Sequence, residues 1–221
     1  YRTETDYEGI MQDTVGLLRH IATRLDISAY RHGGYKADPF LEWEKISVCD
    51  AFKKYADIHL EEFLPDHVGA FRDEVARIGL TVSEEDGWDD LFFKVSMNKI
   101  EPHLGMGQPT ILYDYPAHMA ALSKIKASDP RFAERFEVYV CGMELGNAFS
   151  ELNDAKLQHQ RMETDMAEKK RLYGETWPID MDFIAALEQG MPQAGGIAIG
   201  IDRLAMLATG ADDIRQVQFC D

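Results

Sequence analysis

Cysteine is scarce in this 221-residue chain: Cys49, Cys141 and Cys220 lie far apart and share no metal-ligand spacing. An odd, scattered set does not make a disulfide scaffold and fits a reducing compartment, so a cytoplasmic protein is expected. Long apolar runs are missing too. None approaches the roughly 20 residues that carry a helix across a bilayer, and no signal-peptide pattern is visible. Basic residues are in deficit, 23 against 39 acidic ones, for a formal net charge of −16. That disfavours a broad phosphate-neutralising face for nucleic acid, but leaves room for a local cationic pocket around a small anion. The seven histidines form no HExxH-like cluster, so a histidine-built metal site is not expected. Internal repeats and low-complexity tracts are absent.

What is present is an ordinary globular composition, 45% hydrophobic, in a chain long enough for one sizeable core. Residues 3–25 place Ile10, Leu17, Leu18, Ile21 and Leu25 at helical spacing, with Thr5 and Glu8 in capping-box relation. The glycine pair in "RHGGYKADP" interrupts this pattern. Further helices are expected from near Ser47, through "PDHVGAFRDEVARIG" to Gly79, and along "DLFFKVSMNKIEPHL" after the acidic loop "SEEDGWDD". From "GQPTILYDYP" onward the character changes. "TILYDY" is rich in strand formers and stops at Pro116, and "RFEVYVCGMELGNAF" reads as two strands around a tight turn at Cys141-Gly142. A helix with Asn153 as N-cap runs to about Tyr173, a short one spans "IDMDFIAALEQGMP", and a last one ends at Gly210. Residues 1–108 are thus mostly helical and 109–221 hold the sheet. Helices before and beside an antiparallel sheet make the class α+β.

Two glutamates in "GMELGNAFSE", Glu144 and Glu151, sit in otherwise apolar strand sequence, where a carboxylate is costly to bury without a cation or donor. They face solvent on an open sheet face, or they form a divalent-metal or ammonium site, since hard oxygen ligands suit Mg²⁺. Seven residues apart on a regular strand they fall on opposite faces. Bringing them together requires a register break, expected at Gly146-Asn147. Asp114 and Tyr115, ahead of Pro116, either line a pocket or pack in the core, and His118 reads as a surface histidine.

"AGGIAIGIDRLAML" (194–207) combines three glycines with an Asp-Arg pair that opens an apolar helix. Glycine in a strand marks close approach of another group to the backbone, and a guanidinium recognises phosphate or stacks on a ring. Arg203 is read either as a nucleotide ligand or as a surface partner of Asp202 or another carboxylate.

In order and spacing, "ERFEVYVCGMELGNAFSELNDAKLQHQR" followed by "GMPQAGGIAIGIDRLAML" resembles the C-terminal half of the catalytic domain of lysyl-type class II aminoacyl-tRNA synthetases, with "GIDR" matching their third signature motif. The likeness is close from about Pro109 to the end and looser before it, as an insertion of helices would make it. Within that family it looks most like the shortened paralogues that ligate lysine to translation elongation factor P. Ala198 stands where lysyl-tRNA synthetases typically carry glycine, and the resemblance implies a pocket reshaped toward (R)-β-lysine. A single methyl is worth only about 1–3 kcal/mol of discrimination.

The resemblance further implies ATP as cosubstrate and Mg²⁺ as cofactor. Glu144 and Leu145 would contact ATP, Glu144 partly through Mg²⁺. Glu151 would bind the substrate ammonium or share the metal. Gly200 would let the backbone lie against the adenosine, and Arg203 would sit over the adenine and reach the terminal phosphates. Tyr1, read as the tyrosine closing the family's second motif, would line the amino-acid pocket with Asn147. A homodimer is implied by the family alone. The first motif and the second motif's arginine would precede Tyr1, so the chain is expected to be a piece of a larger, active polypeptide and to be inactive alone.

Overall fold

The run from residue 132 to 150 folds back on itself at Cys141 and Gly142, whose φ angles of 54° and 75° make the tight turn expected there. The computed structural model describes residues 1–120 and 122–219. Its strands are β1 (Arg2–Thr3), β2 (Tyr30–His32), β3 (Tyr35–Ala37), β4 (Glu44–Ser47), β5 (Thr110–Pro116), β6 (Phe132–Val140), β7 (Met143–Ser150) and β8 (Ala194–Ile199). Its α-helices are α1 (Tyr7–Arg24), α2 (Val48–Ala56), α3 (Val68–Arg77), α4 (Trp88–Val95), α5 (Ala155–Tyr173), α6 (Met181–Glu188) and α7 (Ile201–Thr209). Six strands form one sheet in the order β1-β8-β7-β6-β5-β4. All neighbours are antiparallel except β4 and β5, while β2 and β3 pair as a separate hairpin.

Alternation along β6 sorts its side chains. Phe136, Val138 and Val140 join Ile10, Met11 and Leu18 of α1, Tyr30 of the hairpin and Leu207 of α7 in one core. On the opposite face Leu112, Tyr115 and Tyr139 pack under Phe52, Leu91 and Phe92 from the helices α2–α4 and Leu104 beyond them. No described residue of β7 or β8 belongs to that second core. Their side chains on this face are left for something else.

Several local expectations shift by a few residues, each for a physical reason. Helix α1 starts at Tyr7 because Arg2 and Thr3 are extended, paired with Gly195 and Ala194. Its cap is Asp6, which accepts from the Gly9 N–H at 3.1 Å, while Thr5 Oγ1 accepts from Arg2 at 2.9 Å. Leu17 and Leu25 are exposed. Asp154, not Asn153, caps α5, accepting from the Leu157 N–H at 3.0 Å. Ser47 caps α2 and Gly210 closes α7 as expected. The helix-to-loop run after α4 passes through a π-helical turn at Ser96–Ile100. No helix among the described residues is long and apolar enough to cross a membrane. Cys49 and Cys141 are free thiols, and Cys220 lies outside the described residues.

Candidate functional site

The register break that Glu144 and Glu151 require does exist, one residue earlier than expected. Val138 pairs with Gly146 but the next residue, Tyr139, pairs with Glu144, so Leu145 is the extra residue on β7. Its side chain is drawn into the core against α1. Gly146 is held regular instead by β8, whose Ala198 carbonyl oxygen would lie 2.9 Å from any Cβ at that position. The bulge puts Glu144 on the same face as Asn147, Phe149 and Glu151.

At the Glu144 end, strand and helix meet. Gly200 donates its N–H to the Leu145 carbonyl at 2.9 Å. Arg203, in the exposed first turn of α7, donates to the Glu144 carbonyl at 2.6 Å and lies 3.7 Å from its carboxylate. Burial raises the Glu144 carboxyl above its ordinary range, and the nearby Glu137 adds to this against the pull of Arg203 and Arg135. Gly200 caps α7 with no side-chain bond, so the first amides of that helix offer donors to an anion.

The centre is a carboxylate that pattern reading passes over. Glu137 is only 8% exposed and both of its oxygens are engaged. Tyr115 and Tyr139 donate to one at 2.6 and 2.8 Å; Arg135 and Asn147 donate to the other at 2.8 and 3.1 Å. Arg135 also donates to Asn147 at 3.2 Å and stacks 4.3 Å above the Tyr115 ring. Burial, then the charge of Glu137, holds both tyrosine hydroxyls protonated far above their ordinary pKa. The available signal was the alternating charged pair in "RFEVYV", where the cost of burying a carboxylate applies with more force than at Glu144. Tyr115 is therefore both core and site. Asp114, at φ 59°, is instead turned to α1, where it accepts from Tyr7 at 2.9 Å and pairs with Lys126. His118 lies edge-on to Trp88 and 3.2 Å from Asp89.

At the far end of β7, Gly196 pairs with Phe149. A Cβ there would lie 2.6 Å from the Glu151 carboxylate and 2.8 Å from the Tyr1 ring, so both lie across bare backbone. Burial pushes the Glu151 carboxyl up to about 7. Between the two ends, Ala198 pairs with Asn147. With Arg135, Phe149 and Ser123 they line a cavity of about 370 Å³.

Glu144, Gly200 and Arg203 are thus one group, and Tyr1, Glu151, Asn147 and Ala198 another. The side chain of Leu145 belongs to neither, being buried in the core. Seven residues of strand at about 3.3 Å each, less the bulge, separate Glu144 from Glu151 by roughly 20 Å. One ion cannot touch both, so the shared-metal arrangement is set aside. Among the described residues no group of three or more His, Cys, Asp or Glu side chains is arranged for a metal ion.

Residues 1–220 match the family described as tRNA synthetases class II (D, K and N). The chain belongs to that family. It is 37% identical to the lysine–tRNA ligase of Staphylococcus saprophyticus over 98% of this chain and 43% of that protein. Likeness to the lysine–tRNA ligase of Bacillus subtilis is 37%, with the same two coverages. With the elongation factor P–(R)-beta-lysine ligase of Proteus mirabilis it shares 40% identity over 79% of this chain and 53% of that protein. The chain therefore spans about half the length of these relatives. Its sheet, antiparallel but for one pair and flanked by helices, is the architecture the resemblance implied.

Proposed function

We propose that this protein activates lysine or (R)-β-lysine with ATP as an aminoacyl-adenylate and passes the acyl group to a lysine of translation elongation factor P. The observation that carries the reading is the pair of unlike ends on one face of β7. One end presents Arg203 and the bare amides of α7, which suit phosphate. The other presents the Glu151 carboxylate beside Tyr1, which suits an ammonium.

In this reading Glu151 takes the substrate ammonium, Tyr1 covers it, and Asn147 and Ala198 floor the cavity between. Gly200 lets the adenosine lie against the backbone, and Arg203 sits over the adenine and reaches the terminal phosphates. Glu144 would be this chain's carboxylate for Mg²⁺, a hard oxygen ligand of the kind that ion takes. Bound there, Mg²⁺ would neutralise charge on the phosphates. Leu145 contributes backbone only. The substrate carboxylate attacks the α-phosphorus and the bond to pyrophosphate breaks. The acceptor amine then attacks the acyl carbon, loses a proton and expels AMP. Neither step needs a covalent enzyme intermediate, so positioning and charge stabilisation are the protein's contribution.

Ala198 favours the protein-acceptor branch: its methyl narrows the cavity where the synthetases typically carry glycine. A second reading, with tRNA as acceptor, is favoured by the lysine–tRNA ligases that match 98% of the chain. In both, the working form is a homodimer in the cytoplasm. The test uses the longest natural polypeptide that contains this chain. Pyrophosphate exchange into ATP is measured with lysine and with (R)-β-lysine, and elongation factor P or tRNA is then offered. Exchange followed by a one-residue mass gain on the factor is expected. Charging of tRNA moves the protein to the second reading, and no exchange with either amino acid overturns both.

A further inference from the structure

Helix α5 raises a physical question. It is mostly polar, with Gln158 its one buried residue and Leu157, Met162 and Met166 only partly covered, so apolar burial alone fastens it weakly. Polar contacts help to hold it, and one of these reaches the wall of the cavity from behind its lining residues. Arg161 is half-buried and donates from Nη1 to the carbonyl oxygens of Ala120 at 2.8 Å and Ser123 at 2.7 Å. Both residues line the cavity above Asn147 and Ala198. From the floor, Arg135 donates to the carbonyl of the neighbouring Met119 at 2.8 Å. Two guanidinium groups thus hold the same short stretch of wall from opposite sides, through charge-assisted bonds to carbonyls outside any regular ladder.

The wall is also tied to the carboxylate end of the site. Ser123 forms an isolated antiparallel bridge with Glu151. On either side of it, Lys124 donates to the Ser150 carbonyl at 2.9 Å and Leu152 to the Leu122 carbonyl at 3.0 Å. A pull on the Ser123 carbonyl therefore acts on the backbone that carries Glu151. We infer that Arg161 is a positioning residue for the amino-acid cavity, fixing its wall and the placement of Glu151 through the carbonyls of Ala120 and Ser123. The inference rests on the amino-acid reading of that cavity, and it assigns α5 a part in substrate affinity without contact to substrate.

Arg161→Met keeps the aliphatic stem and removes the donors, and Arg161→Lys keeps one charged donor. Calorimetric titration of the longest natural polypeptide containing this chain, with lysine and with an ATP analogue, separates the two ends of the site. Arg161→Met is expected to weaken lysine about tenfold and leave the ATP analogue within about twofold, with Arg161→Lys recovering part of the loss. In the longest natural polypeptide the same variant raises KM for the amino acid with kcat nearly unchanged. Amide exchange at Lys124 and Leu152 quickens while that of β6 does not. Unchanged lysine affinity in a folded Arg161→Met chain overturns the inference, as does equal loss for lysine and the ATP analogue. If Arg161→Met does not melt cooperatively, Arg161→Lys carries the same comparison. Absence of lysine binding by that polypeptide, unaltered, instead removes the substrate reading, and this inference with it.

Discussion

Gly200 donates its backbone N–H to the carbonyl of Leu145 at 2.9 Å, docking the N-terminus of α7 onto the bulge of β7. This contact joins two segments more than fifty residues apart in sequence. It also places Arg203 within 2.6 Å of the Glu144 carbonyl.

Arg203→Ala is expected to weaken a fluorescent ATP analogue at least about tenfold, roughly 1.4 kcal/mol. The side chain is exposed, so the melting temperature should move by no more than about 2 °C. Lysine affinity should be untouched. Equal loss of both ligands would instead mean that the guanidinium holds the fold.

Glu137 makes the opposite case. Its removal orphans Arg135 and two tyrosine hydroxyls in a buried site, a situation that costs about 3–5 kcal/mol. Glu137→Ala is expected to lower the urea midpoint with an unchanged slope, the shift multiplied by that slope giving a loss of that size. A loss under about 1 kcal/mol would show that water replaces the carboxylate there.

The raised pKa of Glu151 sets a pH window. The folded state favours the protonated acid, so its contribution is intact below the ordinary value of 4.5 and is lost as pH rises through about 7. Glu151→Gln should therefore melt higher than the parent at pH 8, by about 3 °C after allowing for solvent screening, and the gap should close toward pH 4.5. Lysine binding runs the other way, because the ammonium needs the ionised carboxylate. Affinity of the parent rises with pH through about 7, and that of Glu151→Gln stays low and flat. A calorimetric pH series checks both signs.

Position 196 tests the site without touching a charge. Gly196→Ala drives a methyl into the Glu151 carboxylate and the Tyr1 ring, so lysine binding should fall while ATP binding persists. Ala198→Gly is milder, widening the cavity by one methyl. It should shift the preference between lysine and (R)-β-lysine toward lysine by about 1–3 kcal/mol. Competition titrations read both.

Local signals located most elements. Ser47 and Gly210 mark helix ends by their own chemistry, and Cys141-Gly142 by its position between two strand-forming runs. Strands β1 and β4 escaped because two and four residues show no period, and β4 exists only through a parallel partner more than sixty residues away. The bulge was foreseen from the spacing of Glu144 and Glu151, but its residue was decided by where the Leu145 side chain could be buried. The Glu137 cluster escaped altogether. It needs Tyr115 from the next strand, turned into place by the left-handed Asp114, and no run of sequence carries that geometry.

The extra residue at Leu145 has a consequence for the size of what fits. By putting an anion-seeking end and a cation-seeking end on one face, with a shallow cavity between, it makes β7 a ruler. A compact ligand can satisfy one end. On the proposed reading, an elongated molecule carrying an amine at one tip and a nucleotide at the other would span both, and the length of the strand itself would become a criterion of selection.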